Sequence, residues 1–410
     1  MKINHGLIAR LRSALAPKTA RAFRNADTDS IAETIHRALA KAGLETTSAP
    51  KQPVSGARSR RMPDAAPRAG PFADPGASWT GPTQNAQDGG NIDARRADAR
   101  GRGEFLSRSF SNAAGTRTYK LYIPSGYSSA AASRVPLVVM LHGCSQSPDD
   151  FAAGTRMNAL AEQHGFLVAY PAQAPNANGS KCWNWFRGQD QGRDRGEPAL
   201  IAGITREIAA SYPIDERRIF VAGLSAGAAM SVILGAVYPE LYAAVGAHSG
   251  LPHGAAHDVP SAFAAMKGGQ ATVRRSRADI AAPGSQPMIP TIVFHGDADQ
   301  TVVARNGDAI VEQAGAAVPG ESRLSASVNQ GGTADGRTYT CTVYADDSGH
   351  PVVEHWLLHG AGHAWSGGSS EGTFTDAGGP DASAEMIRFF YARRSASSTT
   401  GEGDRSGVAN

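Results

Sequence analysis

Cysteine is scarce in this chain, with three residues among 410. That excludes a small fold stapled by many disulfides and any zinc or iron–sulfur centre built from several thiolates. Long apolar runs are also missing. The longest, Val135–Leu141, is interrupted by Pro136 and falls far short of the roughly 18 residues that would suggest a membrane span, so no integral membrane span is expected. No His-Glu-x-x-His sets two imidazoles on one helix face, and no G-x-G-x-x-G or P-loop is available to hold a nucleotide. His253 and His257 are four apart, as are His355, His359 and His363. The second set falls on a strand and a glycine loop rather than a helix, so neither a metal nor an organic cofactor is expected. What remains is a chain with 41% hydrophobic residues, long enough to bury a full core.

Charge is unevenly spread. Residues 1–103 carry 17 Lys+Arg against 9 Asp+Glu, a balance of +8, whereas the whole chain stands at +3. The remaining body is therefore acidic, and the basic character belongs to an appendage. Its basic residues are scattered and no aromatics interleave with them, so nucleic-acid binding is not expected. Leu7, Leu11 and Leu15 recur at helical spacing before Pro17, and Ser30-Ile31-Ala32-Glu33 reads as a capping box ahead of Ile35 and Leu39. Residues 1–44 are thus expected to be an amphipathic helical segment. Residues 45–103, rich in Ala, Pro, Gly, Arg and Asp, follow neither a helical nor a strand period and read as a disordered basic linker; the tail from Ser395 reads the same way. The first 24 residues hold six Lys+Arg and no acid, but Arg10 and Arg12 interrupt what would be the apolar core of a signal peptide.

From 104 to 394 the pattern changes to strands separated by helix-length segments. Arg117–Ile123 alternates, Val135–Leu141 and Phe166–Tyr170 are continuous apolar runs, and Arg218–Ala222, Tyr242–His248, Thr291–His295 and Val352–Leu358 read as further strands. Glu197–Tyr212, Ala226–Val237 and Asp381–Tyr391 read as helices. The order implies one α/β domain, a doubly wound, mostly parallel sheet with helices on both faces.

Gly223-Leu224-Ser225-Ala226-Gly227 is a G-x-S-x-G between a strand and a helix, where a strained turn would present Ser225 at a helix N-terminus. A second match, Gly368–Gly372, lies in a polar glycine-rich loop and is set aside. A serine hydroxyl needs a base. With partners in the order Ser…Asp…His, His363 in the loop Gly360-Ala361-Gly362-His363 is preferred over His359, which ends a strand. Either Asp297 or Asp299, just after the strand ending at His295, is placed to orient that imidazole, and spacing does not separate them. The N–H groups of Ala226, after the nucleophile, and Cys144, after His142-Gly143, are the candidate oxyanion donors.

Leu141-His142-Gly143-Cys144, Cys182-Trp183-Asn184-Trp185-Phe186, Gly223–Gly227, His295-Gly296-x-x-Asp299 and Gly360–Trp365, in this order, resemble the polyhydroxybutyrate (PHB) depolymerase family of esterases. These are α/β-hydrolases that include feruloyl-esterase-like members. The resemblance implies an α/β-hydrolase fold, Asp299 as the acid of a Ser225–Asp299–His363 triad, and Cys144 as an oxyanion donor. It also implies a secreted enzyme, while the basic N-terminal region leaves a cytoplasmic, granule-associated alternative. Trp183 and Trp185 either line an ester-binding cleft or pack a loop over the sheet. Cys144 and Cys182 either pair, which would mean an oxidising compartment, or are both free; Cys341 reads as a buried thiol. Two functions follow: a serine esterase acting on polyhydroxyalkanoate, short-chain or feruloyl-type esters, and a non-catalytic polymer- or granule-binding protein on an inactive hydrolase scaffold. No feature of the sequence sets an oligomeric state.

Overall fold

The computed structural model describes residues 103–128, 133–269, 289–316, 324–334 and 336–392. The helices and linker expected over residues 1–102, and the tail from Ser395, lie outside them.

The described strands form a ten-stranded sheet in the order β1-β2-β4-β3-β5-β6-β7-β10-β9-β8. Its centre is parallel: β4 (Leu167–Pro171), β3 (Val135–Leu141), β5 (Ile214–Leu224), β6 (Ala244–His248), β7 (Thr291–Gly296) and β10 (Pro351–Leu358). Antiparallel pairs close each end, β1 (Glu104–Asn112) with β2 (Gly115–Ile123) on one side, and β8 (Ser325–Gly332) with β9 (Thr338–Ala345) on the other. A two-stranded parallel pair, β11 (Trp365–Ser366) and β12 (Thr375–Asp376), stands apart.

Continuous apolar runs form the central strands because both faces of the sheet are covered. In β3, Leu137, Val139 and Leu141 enter one core while Val138 and Met140 enter the other. The first core is closed by α3 (Gly196–Ser211), α4 (Ala226–Val237), α5 (Val259–Met266) and α6 (Arg305–Ala316); the second by α1 (Pro148–Thr155), α2 (Met157–His164) and α7 (Ala382–Ala392). Helix α4 is buried along nearly its whole length, as expected for a helix apolar all round. Twelve residues are too few for a stable isolated helix, so its hold comes from Met230, Ile233 and Leu234 against the sheet, each worth about 1.5–3 kcal/mol when buried.

The strands and helices expected between residues 104 and 394 are all present, with boundaries shifted by up to four residues, as at Ile214 in β5. Strands β1 and β8, whose residues are largely exposed and polar, follow no clear hydrophobic period, whereas β9 alternates Thr-Tyr-Thr-Cys-Thr-Val with its residues mostly half-buried. Helices α1 and α5 carried readable signals: Ser147 and Asp258 cap them, with a proline in the first turn of each. The set-aside Gly368–Gly372 follows the two-residue β11, and no helix comes until α7. Its Gly372 packs against α1, where a Cβ would lie 2.4 Å from the Gly154 nitrogen.

The parallel register aligns the strand ends. Leu141 faces Gly223, Leu224 faces His248, and Leu358 faces Gly296. Chemistry in open α/β sheets gathers beyond such carboxyl ends, and every candidate residue leaves the sheet there.

Candidate active site

Ser225 sits between the last residue of β5 and the first of α4 with φ 57° and ψ −119°, a conformation costly for a non-glycine residue. Its N–H donates to the His248 carbonyl (2.9 Å) and its own carbonyl accepts from Ala229 N–H (3.0 Å), so the neighbouring strand and the helix hold the turn from both sides. The two flanking glycines let backbone meet backbone. A Cβ on Gly227 would lie 2.0 Å from the Leu141 oxygen, and one on Gly223 would lie 2.5 Å from the Gly227 carbonyl carbon.

The segment after β7 brings up Asp299. Its Oδ1 accepts from the N–H groups of Thr301 and Val302 (both 2.9 Å), and its Oδ2 lies 2.7 Å from His363 Nδ1. Both side chains are almost wholly buried. Burial works to raise the Asp299 carboxyl, but the nearby His363 and its hydrogen bond, His295 and the Val302 N–H together hold it below the usual carboxylate range. An ionised Asp299 therefore accepts from Nδ1–H, which leaves Nε2 as the proton-accepting atom of the ring.

Spacing alone left Asp297 and Asp299 unresolved, and a second pair of the same kind explains why. His359 Nδ1 lies 2.9 Å from Asp297 Oδ2, and Gly360 N–H donates to Asp297 Oδ1 (2.7 Å). This pair is exposed, with His359 and Asp297 side chains 37% and 40% accessible, and neither lines the cleft that contains Ser225. His363 does line it, along with Ser225, Ala226 and Cys144. The Ser225 hydroxyl makes no hydrogen bond among the described residues; in unliganded sites such contacts are often long and tighten with substrate.

The N–H groups of Cys144 and Ala226 have no acceptor among the described residues. The left-handed residue of this turn is Ser145 (φ 64°), and a Cβ on Gly143 would crowd Gln146 Oε1 at 3.1 Å, the oxygen that accepts from Gly143 N–H. Cys144 is disulfide-bonded to Cys182, and Ser145 N–H donates to the Ser180 carbonyl (2.7 Å). The oxyanion turn is therefore fastened to the loop that carries Trp185 and Phe186. Cys341 is free and buried on β9.

Trp185 and Phe186 line the cleft, but Trp183 does not. It is fully buried, with its ring 5.6 Å from that of His142, so it packs the loop onto the sheet. The expectation of a cleft role for Trp183 is corrected accordingly. The same loop rests on buried Glu197, which accepts from Asn184 N–H and Asn184 Nδ2 (both 2.7 Å), from Gln173 Nε2 and from Arg117 (3.3 Å). Burial and the charge of Asp190 push the Glu197 carboxyl up.

Four residues have supporting roles that the sequence did not assign to them. Gln146 accepts from Gly143 N–H (2.9 Å) and donates to Asp150 Oδ2 (2.8 Å) and the Thr373 carbonyl (3.0 Å). Burial pushes His142 down to about 4 and His248 down to about 3. Both are thus neutral at neutral pH and act as fixed hydrogen-bonding struts: His142 Nδ1–H donates to the Gly143 carbonyl (2.8 Å), and its Nε2 accepts from Gln173 N–H (3.1 Å). His295, also lowered by burial, donates from Nε2 to the Val302 carbonyl (2.7 Å), steadying the turn around Asp299. Only the chain position of His295 in H-G-x-x-D hinted at this.

The cleft encloses about 700 Å³, part of it open to solvent. Beyond the catalytic candidates its wall is apolar: Trp185, Phe186, Leu251, Val259, Phe263 and Met266. An apolar trough with a few convergent polar groups suits a small organic ligand.

Residues 117–319 match the family model described as esterase PHB depolymerase. The chain is 33% identical over 246 residues to a poly(3-hydroxyalkanoate) depolymerase C of Paucimonas lemoignei, covering 59% of this chain and 57% of that one. The chain is similar to this family across its central segment. The family-matched segment contains Cys144, Ser225, Ala226 and Asp299 and ends before His363. A poly(3-hydroxybutyrate) depolymerase of Ralstonia pickettii is 25% identical over 270 residues, with 62% and 53% covered, so the chain spans little more than half the length of these two relatives. An acetylxylan esterase A of Talaromyces purpureogenus is 28% identical over 287 residues, covering 64% of this chain and 71% of the other. Among solved structures, an acetyl xylan esterase from Aspergillus awamori superposes with a TM-score of 0.54 at 20% identity, over 71% of this chain and all of that one. The fold is that of the α/β-hydrolases.

Proposed function

We propose that this protein is a serine esterase that cleaves carboxylic esters through an acyl-enzyme. Its substrates are polyhydroxyalkanoates such as polyhydroxybutyrate, or related short-chain or feruloyl-type esters. The observation that carries the reading is the buried Asp299–His363 pair, 2.7 Å apart, opening onto the same cleft as the strained Ser225.

His363 Nε2 takes the Ser225 proton as Oγ attacks the ester carbonyl carbon. The imidazolium is stabilised by Asp299, and the N–H groups of Cys144 and Ala226 receive the oxyanion. Collapse of the tetrahedral intermediate breaks the C–O bond, and His363 returns the proton to the departing alcohol. Water, deprotonated by the same nitrogen, then attacks the acyl-enzyme and releases the acid with Ser225 regenerated. The nucleophile, the base, the orienting acid and the oxyanion donors of this scheme are side chains and N–H groups of the chain itself.

Similarity to this family supports the reaction class, and the apolar cleft wall supports an apolar acyl group. The Cys144–Cys182 disulfide supports an extracellular or otherwise oxidising location. No observation favours the non-catalytic polymer-binding alternative. The purified protein is expected to release p-nitrophenol from p-nitrophenyl butyrate, and side-by-side rates on amorphous polyhydroxybutyrate, acetylated xylan and a feruloylated oligosaccharide will order the natural classes. Turnover of none of the four would contradict the proposal.

A further inference from the structure

Beside the catalytic cleft lies a second, more open groove lined by Phe186, Arg187, Gly188, Gln189, His257 and Asp258, with Val259 at its edge. The two depressions share Phe186 and Val259, so a molecule seated against Ser225 can extend past those two side chains without leaving the protein. Their chemistry differs. The catalytic cleft is walled by apolar side chains, whereas the groove offers a guanidinium, an amide and an imidazole.

Arg187 is the distinctive member. It is half-buried, and among the described residues its guanidinium makes no hydrogen bond or ion pair. The Asp190 carboxyl feels the charge of Arg187 but is turned inward to accept from Glu197 N–H (2.7 Å). The acidic residue of the groove, Asp258, is held by its own neighbours. Its Oδ1 accepts from Ser261 N–H (2.8 Å) at the start of α5, and its Oδ2 lies 3.6 Å from His257 Nε2. A planar guanidinium with its donors unused matches a carboxylate in two-pronged fashion.

We infer that this groove is a carboxylate subsite, in which Arg187 receives the terminal carboxylate of a short hydroxyacid oligoester whose scissile ester lies at Ser225. The inference rests on the esterase reading and narrows its substrate class to free-acid oligoesters such as the dimer and trimer of 3-hydroxybutyrate. In the dimer the carboxylate belongs to the departing alcohol, so the groove holds the leaving-group side and the apolar cleft the acyl side. The reaction is unchanged: water adds across the ester, giving two hydroxyacids.

The test compares kcat/KM for the 3-hydroxybutyrate dimer as free acid and as methyl ester, in the wild type, Arg187→Gln and Arg187→Lys, with p-nitrophenyl butyrate as control. The wild type is expected to favour the free acid by about ten-fold, the scale of one charge-assisted contact at a partly exposed site. The preference should vanish in Arg187→Gln and persist in part in Arg187→Lys, with p-nitrophenyl butyrate turnover within about two-fold throughout. In the wild type alone it should also shrink between about 20 mM and 500 mM salt, a measurement independent of whether the variants fold. No preference in the wild type, or one that survives Arg187→Gln, would overturn the subsite and leave the esterase reading standing. Failure of the wild type to hydrolyse p-nitrophenyl butyrate or either dimer would overturn both.

Discussion

Replacing Ser225 with alanine is expected to lower kcat/KM on p-nitrophenyl butyrate by about 10⁴- to 10⁶-fold, or roughly 5–8 kcal/mol of transition-state stabilisation. The loss is so large because Ser225 supplies the attacking oxygen from the strained turn ahead of α4, and among the described residues no thiol can take its place. Cys144 and Cys182 are consumed in a disulfide, and Cys341 is buried on β9. The fold itself should barely respond, since the Ser225 hydroxyl makes no hydrogen bond among the described residues. A companion variant separates chemistry from strain. Ser225→Gly removes the Cβ at φ 57° and should raise unfolding stability by about 1 kcal/mol while remaining as inactive as Ser225→Ala. Urea denaturation beside the activity assay reads both effects. Residual hydrolysis above about one per cent in either variant would mean that the nucleophile lies elsewhere.

The second large effect is expected at Asp299. In Asp299→Asn the oxygen that accepts from Thr301 and Val302 N–H (both 2.9 Å) keeps its place, because only an acceptor satisfies those donors. The new amide nitrogen then faces His363 Nδ1, where Oδ2 stood at 2.7 Å. Two N–H groups cannot bond to each other, so the ring shifts its proton to Nε2, the atom that must accept from Ser225. A wrong tautomer of this kind costs about 10⁴ in kcat. Asp297→Asn leaves that geometry untouched. The Asp297–His359 pair is exposed and worth under about 1 kcal/mol, so activity should stay within about ten-fold of wild type. Measuring kcat for both asparagine variants distinguishes the acids, and equal losses would contradict the assignment.

The contrast between these two aspartates shows where sequence reading reached its limit. The nucleophile turn was legible because its determinants are local: an apolar strand, two glycines and a helix within a short stretch. His363 was legible by its place in a glycine loop after a strand. Spacing alone did not separate Asp297 and Asp299, because each sits two residues from the other and each finds a histidine in the next loop; only the resemblance through His295-Gly296-x-x-Asp299 pointed to Asp299, and in the structure burial sets the two apart. Gln146 illustrates the same point more sharply, since it donates to the Thr373 carbonyl across 227 positions of chain. The Trp183–Trp185 pair could not be divided either. One residue apart in alternation, the first turns into the core beside His142 and the second toward the cleft, and their composition is identical.

Helix α5 makes a different case. Its Val259, Phe263 and Met266 line the cleft wall at helical spacing, and Asp258 with Ser261 forms a capping box that a residue-by-residue reading is able to find. That the helix faces the cleft follows only once β6 and β7 are adjacent in the sheet, which places the connection between them at the carboxyl edge above Ser225.

The central claim is that Ser225 Oγ carries the acyl group. Treating the native protein with diisopropyl fluorophosphate and locating the adduct by peptide mass spectrometry tests it most directly. About one equivalent should attach to the peptide containing Ser225, with ester hydrolysis falling in proportion to labelling. Full hydrolysis by protein labelled at Ser225, or inactivation with the adduct on another residue, would contradict the account.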